Sequence, residues 1–429
     1  MTKRELYPVQ VEHGNRLAYS LESYRHALDA SKTGCGKTLV GAELSAVWGK
    51  PTLVVCPKIM IPTWEEELRV RGAKATGVIN YEKLRTSKTP YGRFTNSKLW
   101  EWSIPKDSLI IWDEVQKTKT WNSLNAKMLI AAKPHANLLA SATCAKGPTD
   151  MRATGYILGL HNLRDYWAWC KKNGCVVNAW GALEFEGGPA EIDKIHRYIF
   201  PEHGSRLTHA DMADHFKETQ IITTPLDFGS KIKGIYKRME RELKILQTTA
   251  LSDNPGASAL TEILRARQMV ELLKIPDIVE MTQDFLEEGC SVALFLNFTA
   301  TIQGLAERIP GAVTLYGEMK DCAKQAAISA FQSNSARVII CNIACGGVGL
   351  SLHDLYGTFP RRSITSPSFN EMDIIQVLGR IHRAGGMTPS QQHVLFAKDT
   401  IEETVKQRLD DKMLLVETFN SGQKYVDTY

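Results

Sequence analysis

The sequence lacks a long hydrophobic run, a regular cysteine spacing and a strong excess of charge of either sign. No apolar stretch approaches the ~20 residues that a membrane span needs, and the opening MTKRELYPVQ has no apolar segment of the kind that directs secretion. The nine cysteines have no CxxC or histidine-rich partners, so neither a disulfide framework nor a cysteine metal site is predicted. We therefore expect an intracellular protein, in the cytoplasm or nucleoid, that does not associate with a membrane.

Short apolar, β-branched runs alternate with longer stretches of helical spacing. They lie at 52–56, 77–81, 108–112 and 137–141, and again at 292–296, 312–316, 337–341, 362–366 and 393–397. This alternation is typical of parallel sheets covered by helices on both faces. A chain of 429 residues is too long for one core, so two α/β domains are predicted. Residues 231–244 and 261–288 have helical spacing, whereas 165–228 gives no clear assignment.

The stretch SKTGCGKT, residues 31–38, ends like a phosphate-binding loop but begins with serine where the general pattern has glycine. Gly34 and Gly36 allow the backbone N–H groups to approach a phosphate. Lys37 would reach the β and γ phosphates of ATP, and the Thr38 hydroxyl would ligate Mg²⁺. A chance run of small residues is the alternative interpretation of this segment alone.

Two acids, Asp113 and Glu114, follow the apolar run SLIIW. Carboxylates at the end of a buried strand cost free energy unless a cation or a polar ligand needs them. Asp113 suits Mg²⁺ held through water, and Glu114 suits polarisation of the attacking water. A surface turn is the alternative, but we expect the glycine loop on a neighbouring strand, which favours a nucleotide site.

The segment QVLGRIHRAGG, residues 376–386, carries Arg380 and Arg383 three positions apart, and we therefore expect them on one helix face. Their guanidiniums can stabilise charge that develops on the γ-phosphate. A solvated stripe is the alternative. If the arginines act on ATP, the nucleotide lies between the two domains, and its hydrolysis changes how they fit together.

In their order along the chain, these segments resemble the motifs of superfamily II helicase-like ATPases, specifically the Swi/Snf-type DNA translocases. The matching segments are a glutamine motif (7–10), motifs I (30–38), Ia (53–68), Ib (78–84), II (113–119), III (141–143), IV (293–301), V (343–352) and VI (376–383), and a closing helix (397–412). GRIHR, GGVGLSL and CPKIMIPTWEEEL resemble the Swi/Snf branch in particular. Ser31, Lys32 and Gln116 depart from the family's common residues.

The resemblance implies an α/β fold of two tandem RecA-like parallel-sheet lobes with a helical and irregular insertion. It places the ATP-binding lobe at 1–155, its extension and a helical linker at 156–285, and the C-terminal helicase lobe at 286–429. ATP and Mg²⁺ are the implied cofactors, and Gln10 would hydrogen-bond adenine. The implied ATP-contacting residues are Tyr7, Gln10, Thr33, Gly34, Cys35, Gly36, Lys37, Thr38 and Gly349. Those that would couple the lobes are Gln116, Ser141 and Thr143, and Gln376 would sense the γ-phosphate or its water. The alternatives are a solvated helix position for Gln10, a surface helix position for Gln376 and an ordinary helix cap for Ser141 and Thr143.

The resemblance also implies a cleft that grips nucleic-acid phosphates, which a net charge of +5 permits without requiring. The candidate contacts are Lys58, Thr63, Lys117 and Lys119 in the first lobe and Asn297, Thr299, Gly346 and Gly347 in the second. For each lysine a solvated surface position is the alternative.

The implied function is ATP-dependent translocation on double-stranded or branched DNA by a monomeric motor. The compact chain fits a phage or mobile-element protein, or a motor that depends on a targeting protein. A strand-separating DNA or RNA helicase is one alternative, and a nucleotide-gated binding module without processive movement is another. We also expect a lowered pKa at the Cys35 thiol, beside Lys37 and a helix N-terminus, so that alkylation blocks ATP binding.

Overall fold

The computed structural model describes residues 4–248, 255–346, 350–368, 371–398, 400 and 402. These residues form two compact units that divide between Ala213 and Asp214. Each unit contains a six-stranded sheet in which every neighbouring pair of strands is parallel. The α/β class and the two parallel-sheet lobes are confirmed, while the three-part division with bounds at 155 and 285 stays a prediction. The closing helix at 397–412 lies largely outside the described residues.

The strands are β1 (His26–Asp29), β2 (Thr52–Cys56), β3 (Ala75–Asn80), β4 (Gly92–Phe94), β5 (Trp100–Trp102), β6 (Leu109–Asp113), β7 (Ala136–Ala140), β8 (Cys175–Val177), β9 (Leu183–Phe185), β10 (Gly204–Ser205), β11 (Thr219–Leu226), β12 (Ser291–Leu296), β13 (Val313–Leu315), β14 (Val338–Asn342), β15 (Arg361–Thr365) and β16 (Ser390–Ala397). The helices are α1 (Pro8–Tyr24), α2 (Lys37–Trp48), α3 (Ile61–Arg71), α4 (Tyr81–Leu84), α5 (Leu124–Ala131), α6 (Arg152–Leu158), α7 (Tyr166–Lys172), α8 (Pro189–Ile199), α9 (Ser230–Thr248), α10 (Pro255–Leu273), α11 (Ile275–Glu287), α12 (Thr299–Ala306), α13 (Asp321–Gln332), α14 (Ile343–Gly346) and α15 (Glu371–Leu378).

The sheet of the first unit has the strand order β10-β1-β7-β6-β2-β3. The expectation that the loop strand and the acid strand are neighbours was wrong, because β7 lies between β1 and β6 and pairs with both. Asp29, Ala140 and Asp113 are in register across these three strands. Since adjacent strands are ~4.8 Å apart, the ends of β1 and β6 lie about 10 Å from each other at one edge of the sheet.

The segment 165–228, which gave no clear pattern, contains short and partly exposed elements. They are α7, the antiparallel hairpin β8–β9, α8 and the edge strands β10 and β11. β10 has two residues, and the residues of β11 are exposed or half-buried. Neither therefore has the continuous apolar run that identifies an interior strand.

The sheet of the second unit has the strand order β11-β16-β15-β12-β14-β13. Pro276, which interrupts the helical pattern of 261–288, lies in the first turn of α11, where its missing N–H costs no intrahelical hydrogen bond. The side chains of α11 that face the sheet pack on β12, β14 and β15 in one apolar cluster. Among the described helices, none is both long enough and apolar enough to cross a membrane.

Candidate active site

The loop between β1 and α2 has the backbone geometry of an anion-binding site. Gly34 and Gly36 have φ of 83° and 91°, the left-handed region that glycine adopts without strain. A Cβ on Gly36 would lie 2.5 Å from Nε2 of Gln10, so the position has no room for a side chain. α2 begins directly afterwards at Lys37, and its free N–H groups and dipole favour an anion at that point. Thr38 is half-buried in its first turn.

The ammonium of Lys37 rests on the loop's own backbone. Its Nζ donates hydrogen bonds to the carbonyl oxygens of Ser31 at 2.7 Å and Lys32 at 3.2 Å. The carbonyl of Thr33, in the same loop, lies 3.0 Å from Nε2 of His209. Lys37 is therefore already held over the loop, at the head of α2, where it can reach an incoming phosphate.

Asp113 ends the buried strand β6 and is only 5% exposed. Its Oδ2 accepts a hydrogen bond of 2.8 Å from Nε1 of Trp64. Trp64 lies against Gly41 of α2, where a Cβ would approach its ring to 2.9 Å. Burial, and then the charge of Glu114, raise the pKa of Asp113 to about 7, although Trp64 and Lys37 act in the opposite direction.

Glu114 has φ 55°, an uncommon left-handed conformation for a residue with a side chain. Its Oε2 accepts a hydrogen bond of 2.6 Å from Nε2 of Gln116. In the neighbouring turn after β7, the Oγ of Ser141 accepts a hydrogen bond of 2.9 Å from the N–H of Thr143. The Thr143 hydroxyl is buried without a partner in the described part of the chain. The lobe-coupling roles of these residues stay predictions.

The residues at this edge fit Mg²⁺ and a triphosphate. The buried Asp113 carboxylate lies beside Glu114, and the repulsion that helps to raise its pKa would be relieved by a cation. No cluster of three or more His, Cys, Asp or Glu side chains in the described ranges is arranged to hold a metal ion. Mg²⁺ commonly takes one or two protein ligands and completes its shell with phosphate and water. Asp113 and Thr38 would be those ligands.

Gln10, predicted to read adenine, is 1% exposed in α1. Its Oε1 accepts from the N–H of Tyr7 at 3.0 Å, and its Nε2 donates to the carbonyl of Cys35 at 2.8 Å. The amide therefore ties the start of α1 to the phosphate loop. Its contact with adenine stays a prediction, as does that of Tyr7.

The arginines of the second unit do not lie on a helix face, contrary to expectation. α15 ends at Leu378, Arg380 lies in the turn that follows, and Arg383 lies beyond it in a segment without regular structure. Arg380 is 1% exposed, and its Nη1 donates to the carbonyl of Leu350 at 3.2 Å. Nη1 of Arg383 donates to Oγ of Ser351 at 2.9 Å. A spacing of three does not by itself place two residues on a helix, and both side chains hydrogen-bond to the 350–351 segment.

The predicted nucleic-acid contacts differ in exposure. Lys58 and Thr63 are exposed, whereas Lys117 and Lys119 are half-buried beside Glu114 in the sequence. In the second unit Asn297 is held by Glu271, whose carboxylate accepts its backbone N–H at 3.0 Å and its Nδ2 at 2.7 Å. The remaining candidates are Thr299, the first residue of α12, and Gly346, the last of α14; Gly347 and the nucleotide candidate Gly349 lie outside the described residues.

The expectation of a reactive Cys35 thiol was wrong. The side chain is 1% exposed, and burial raises the pKa of Cys35 to about 12, outweighing the opposite effect of Lys37. Sequence adjacency to a lysine and a helix N-terminus predicted a thiolate, but the side chain points into the protein, where a charge is poorly solvated.

Alkylation is therefore expected to modify Cys322 long before Cys35. Cys322 is exposed in α13, whereas Cys35 is buried. Brief treatment with iodoacetamide, followed by peptide mass spectrometry, should give near-complete labelling of Cys322 and almost none of Cys35. Rapid labelling of Cys35 that ATP suppresses would instead restore the expectation drawn from the sequence.

The variant Asp113→Asn is expected to be more stable than the wild type at pH 8 when nucleotide and Mg²⁺ are absent. The pKa of Asp113 is about 7 in the fold and 3.8 in its ordinary state. Between these values the folded protein binds a proton that the unfolded chain does not, so wild-type stability falls as the pH rises from about 4 to about 7. Asparagine avoids this loss and can still accept from Trp64.

Thermal melts between pH 4.5 and 8.5 test this expectation. The difference in Tm between Asp113→Asn and the wild type should grow up to about pH 7 and then stay constant. Asp107→Asn is the control, because the Asp107 side chain is 57% exposed. A difference for Asp113→Asn that is independent of pH would contradict the raised pKa.

Comparison with known proteins places these observations in a family context. Residues 274–385, all within the second unit, match the helicase conserved C-terminal domain family. A protein of Acanthamoeba polyphaga mimivirus, whose name proposes an ATP-dependent RNA helicase, is 28% identical over 464 residues, which cover 98% of this chain and 84% of the relative.

Two further matches mention DNA in their names. The Danio rerio chromodomain-helicase-DNA-binding protein 1-like is 20% identical over 464 residues, which cover 96% of this chain and 44% of the relative. This chain thus spans less than half the length of that protein. Among solved structures, the Sulfolobus solfataricus SWI2/SNF2 ATPase core in complex with double-stranded DNA is 19% identical, with 99% of this chain and 95% of that chain covered and a TM-score of 0.38.

Proposed function

We propose that this chain, which matches the helicase conserved C-terminal domain family over residues 274–385 and resembles superfamily II ATPases of the Swi/Snf type, couples ATP hydrolysis to translocation along double-stranded DNA. The proposed ATP site rests on one observation: the phosphate loop and the two acids lie at the same edge of the sheet in the first unit. There the loop Ser31–Gly36 and the head of α2 follow β1, while Asp113 and Glu114 lie at the end of β6, and β7 keeps the two strands in register. DNA as the track is supported by the name of the Danio rerio relative.

Each residue at this edge has a distinct part in the proposed reaction. The loop N–H groups and Lys37 bind the phosphates, and Lys37 balances their charge. Thr38 and Asp113 would hold Mg²⁺, which would neutralise charge at the phosphates. Glu114 orients the attacking water and accepts its proton. Trp64 keeps the Asp113 carboxylate in one orientation through its hydrogen bond.

The proposed roles of residues in the second unit have less direct support. Arg380 and Arg383 would stabilise charge on the γ-phosphate, and Gln376, 5% exposed in α15, would sense its presence. Their support is the order of the motifs and the match of residues 274–385 to the helicase C-terminal family. Variants at these positions should bind ATP normally and hydrolyse it slowly.

ATPase rates measured with duplex DNA, single-stranded DNA, forked DNA and RNA test the proposal at several stated salt concentrations. Phosphate contacts make the stimulation salt-dependent, so a single condition is insufficient. The translocase requires the largest stimulation by duplex DNA and displacement of a triplex-forming strand without separation of the duplex. Duplex DNA that leaves the ATPase rate unchanged would overturn it.

One observation favours a second function, a helicase that separates RNA strands. The mimivirus relative covers 98% of this chain, and its name proposes an ATP-dependent RNA helicase. In the same assay this function predicts stimulation by RNA that exceeds stimulation by duplex DNA, together with unwinding of an RNA duplex.

A further inference from the structure

The phosphate loop is supported from two sides by parts of the first unit to which the motif pattern gives no role. One is the part of α1 that follows the glutamine motif, and the other is the segment 203–209, which contains β10. This segment extends the sheet past the end of β1: the N–H groups of Leu28, Ala30 and Lys32 donate to the carbonyls of His203, Ser205 and Leu207 at 2.9, 3.0 and 2.9 Å. The last of these bonds lies within the loop itself.

A buried side-chain network joins both supports to Ser31. His13 of α1 lies with Nδ1 2.8 Å from Oγ of Ser205 and with Nε2 3.2 Å from Oγ of Ser31. The same Nε2 is 3.2 Å from Oδ1 of Asp29. Ser31 also donates its N–H to Asp29 at 3.0 Å and accepts the N–H of Leu207 at 3.0 Å. Ser31 is thus held by its backbone and by its hydroxyl.

The network is electrostatically consistent with an ionised Asp29. Burial alone raises the pKa of this carboxyl, but the charge and hydrogen bond of His13, followed by Lys37 and Ser31, bring the pKa below its usual value. A buried carboxylate needs such partners to stay charged. The His13–Asp29–Ser31 arrangement is therefore a fixed structure under the loop.

The presence of serine, histidine and aspartate together does not make this a hydrolytic site. Ser205, His13 and Asp29 are 5%, 2% and 1% exposed, so no substrate reaches them. The network reaches the phosphate loop through Ser31, whose carbonyl accepts a hydrogen bond of 2.7 Å from Lys37. The network thus sets the position of the group that holds Lys37.

We propose that His13 is a positioning residue for ATP binding, acting through Ser31. The general loop pattern has glycine at position 31, and here the serine hydroxyl instead anchors the loop to α1 and to the segment 203–209. This inference rests on the proposed function of the loop as the phosphate site. Without the His13–Ser31 contact, the Ser31 carbonyl can shift. The Lys37 ammonium that is hydrogen-bonded to this carbonyl then shifts with it.

Steady-state ATPase kinetics of His13→Ala, Ser31→Ala and the double variant test the proposal. Each single variant should raise the KM for ATP about tenfold, about 1.4 kcal/mol, and leave kcat within about threefold. The double variant should raise the KM by less than the product of the two single effects, because both changes remove the shared His13–Ser31 contact. Ser31→Ala removes only a hydroxyl group. Its KM therefore tests the proposal even if His13→Ala does not fold.

Ser20→Ala is the matched control. Ser20 is buried in α1 like His13, and its Oγ donates to the carbonyl of Glu202 at 2.6 Å, just before the 203–209 segment, but it does not contact the loop. It should lower the Tm and leave the KM unchanged. A KM in His13→Ala and Ser31→Ala equal to that of the wild type, or additive effects in the double variant, would overturn the positioning role. Failure of the proposed site is distinguishable, since Lys37→Ala would then hydrolyse ATP as fast as the wild type.

Discussion

Replacing Glu114 with glutamine is expected to lower the rate of ATP hydrolysis at least about 100-fold, because an amide cannot accept the proton of the attacking water. The substitution keeps the size of the side chain, and Gln116 approaches Oε2 at 2.6 Å in the wild type. ATP affinity should change by less than about threefold, since the loop N–H groups and Lys37 are untouched. Single-turnover hydrolysis and equilibrium binding of a fluorescent ATP analogue measure the two effects separately.

Two further variants make this result specific to Glu114. Glu82→Gln removes an exposed carboxylate in α4 and should hydrolyse ATP at the wild-type rate. Gln116→Ala removes the hydrogen bond that orients Glu114 and should cost about tenfold, less than loss of the carboxylate itself. If Glu114→Gln retains more than a tenth of the wild-type rate, the general base is another residue.

The central strands of both sheets could be predicted from the sequence because they are buried on both faces. β2, β6 and β12 are continuous apolar runs, and the structure has them within about one residue of the prediction. The edge strands β10 and β11 could not be found in this way. They gain their pairing from a neighbouring strand rather than from an apolar pattern of their own.

The candidate site could be predicted where its chemistry depends on local sequence. Glycines, a lysine and a threonine at fixed spacing define the loop, and two acids end a buried strand. Strand order does not follow from such patterns, and β7 was therefore missed as the strand between them. The expected helix face for Arg380 and Arg383 failed for a related reason, because spacing alone does not show where α15 ends.

The supporting residues were missed because their partners are distant in sequence. Trp64 reaches Asp113 across 49 positions, and His13 reaches Ser205 across 192. Glu271 of α10, which holds Asn297, looks like any other acid on a helix. A buried carboxylate or histidine becomes recognisable only when the fold brings its hydrogen-bond partners together.

Replacing Lys274 with methionine is expected to lower the unfolding free energy of the second unit by about 3–5 kcal/mol. Lys274 is 0% exposed, and its Nζ lies 2.8 and 3.0 Å from the two carboxylate oxygens of Glu402. It also donates to the carbonyl of Leu395 at 3.0 Å. Methionine fills a similar volume but leaves the Glu402 carboxylate buried without its cation, and that unpaired charge is the main cost. Chemical denaturation followed by circular dichroism measures the loss.

An exposed pair in the same unit separates this cost from a general effect of losing a cation. Arg265→Ala breaks an ion pair with Glu262 in which the arginine side chain is 67% exposed, and it should cost less than about 1 kcal/mol. Adding Glu402→Gln to Lys274→Met should recover part of the stability, because the amide removes the unpaired charge and can still accept the Ala397 N–H, now 2.8 Å from Oε2. If the double variant is less stable than Lys274→Met, the loss comes from packing around Lys274 and not from the buried carboxylate.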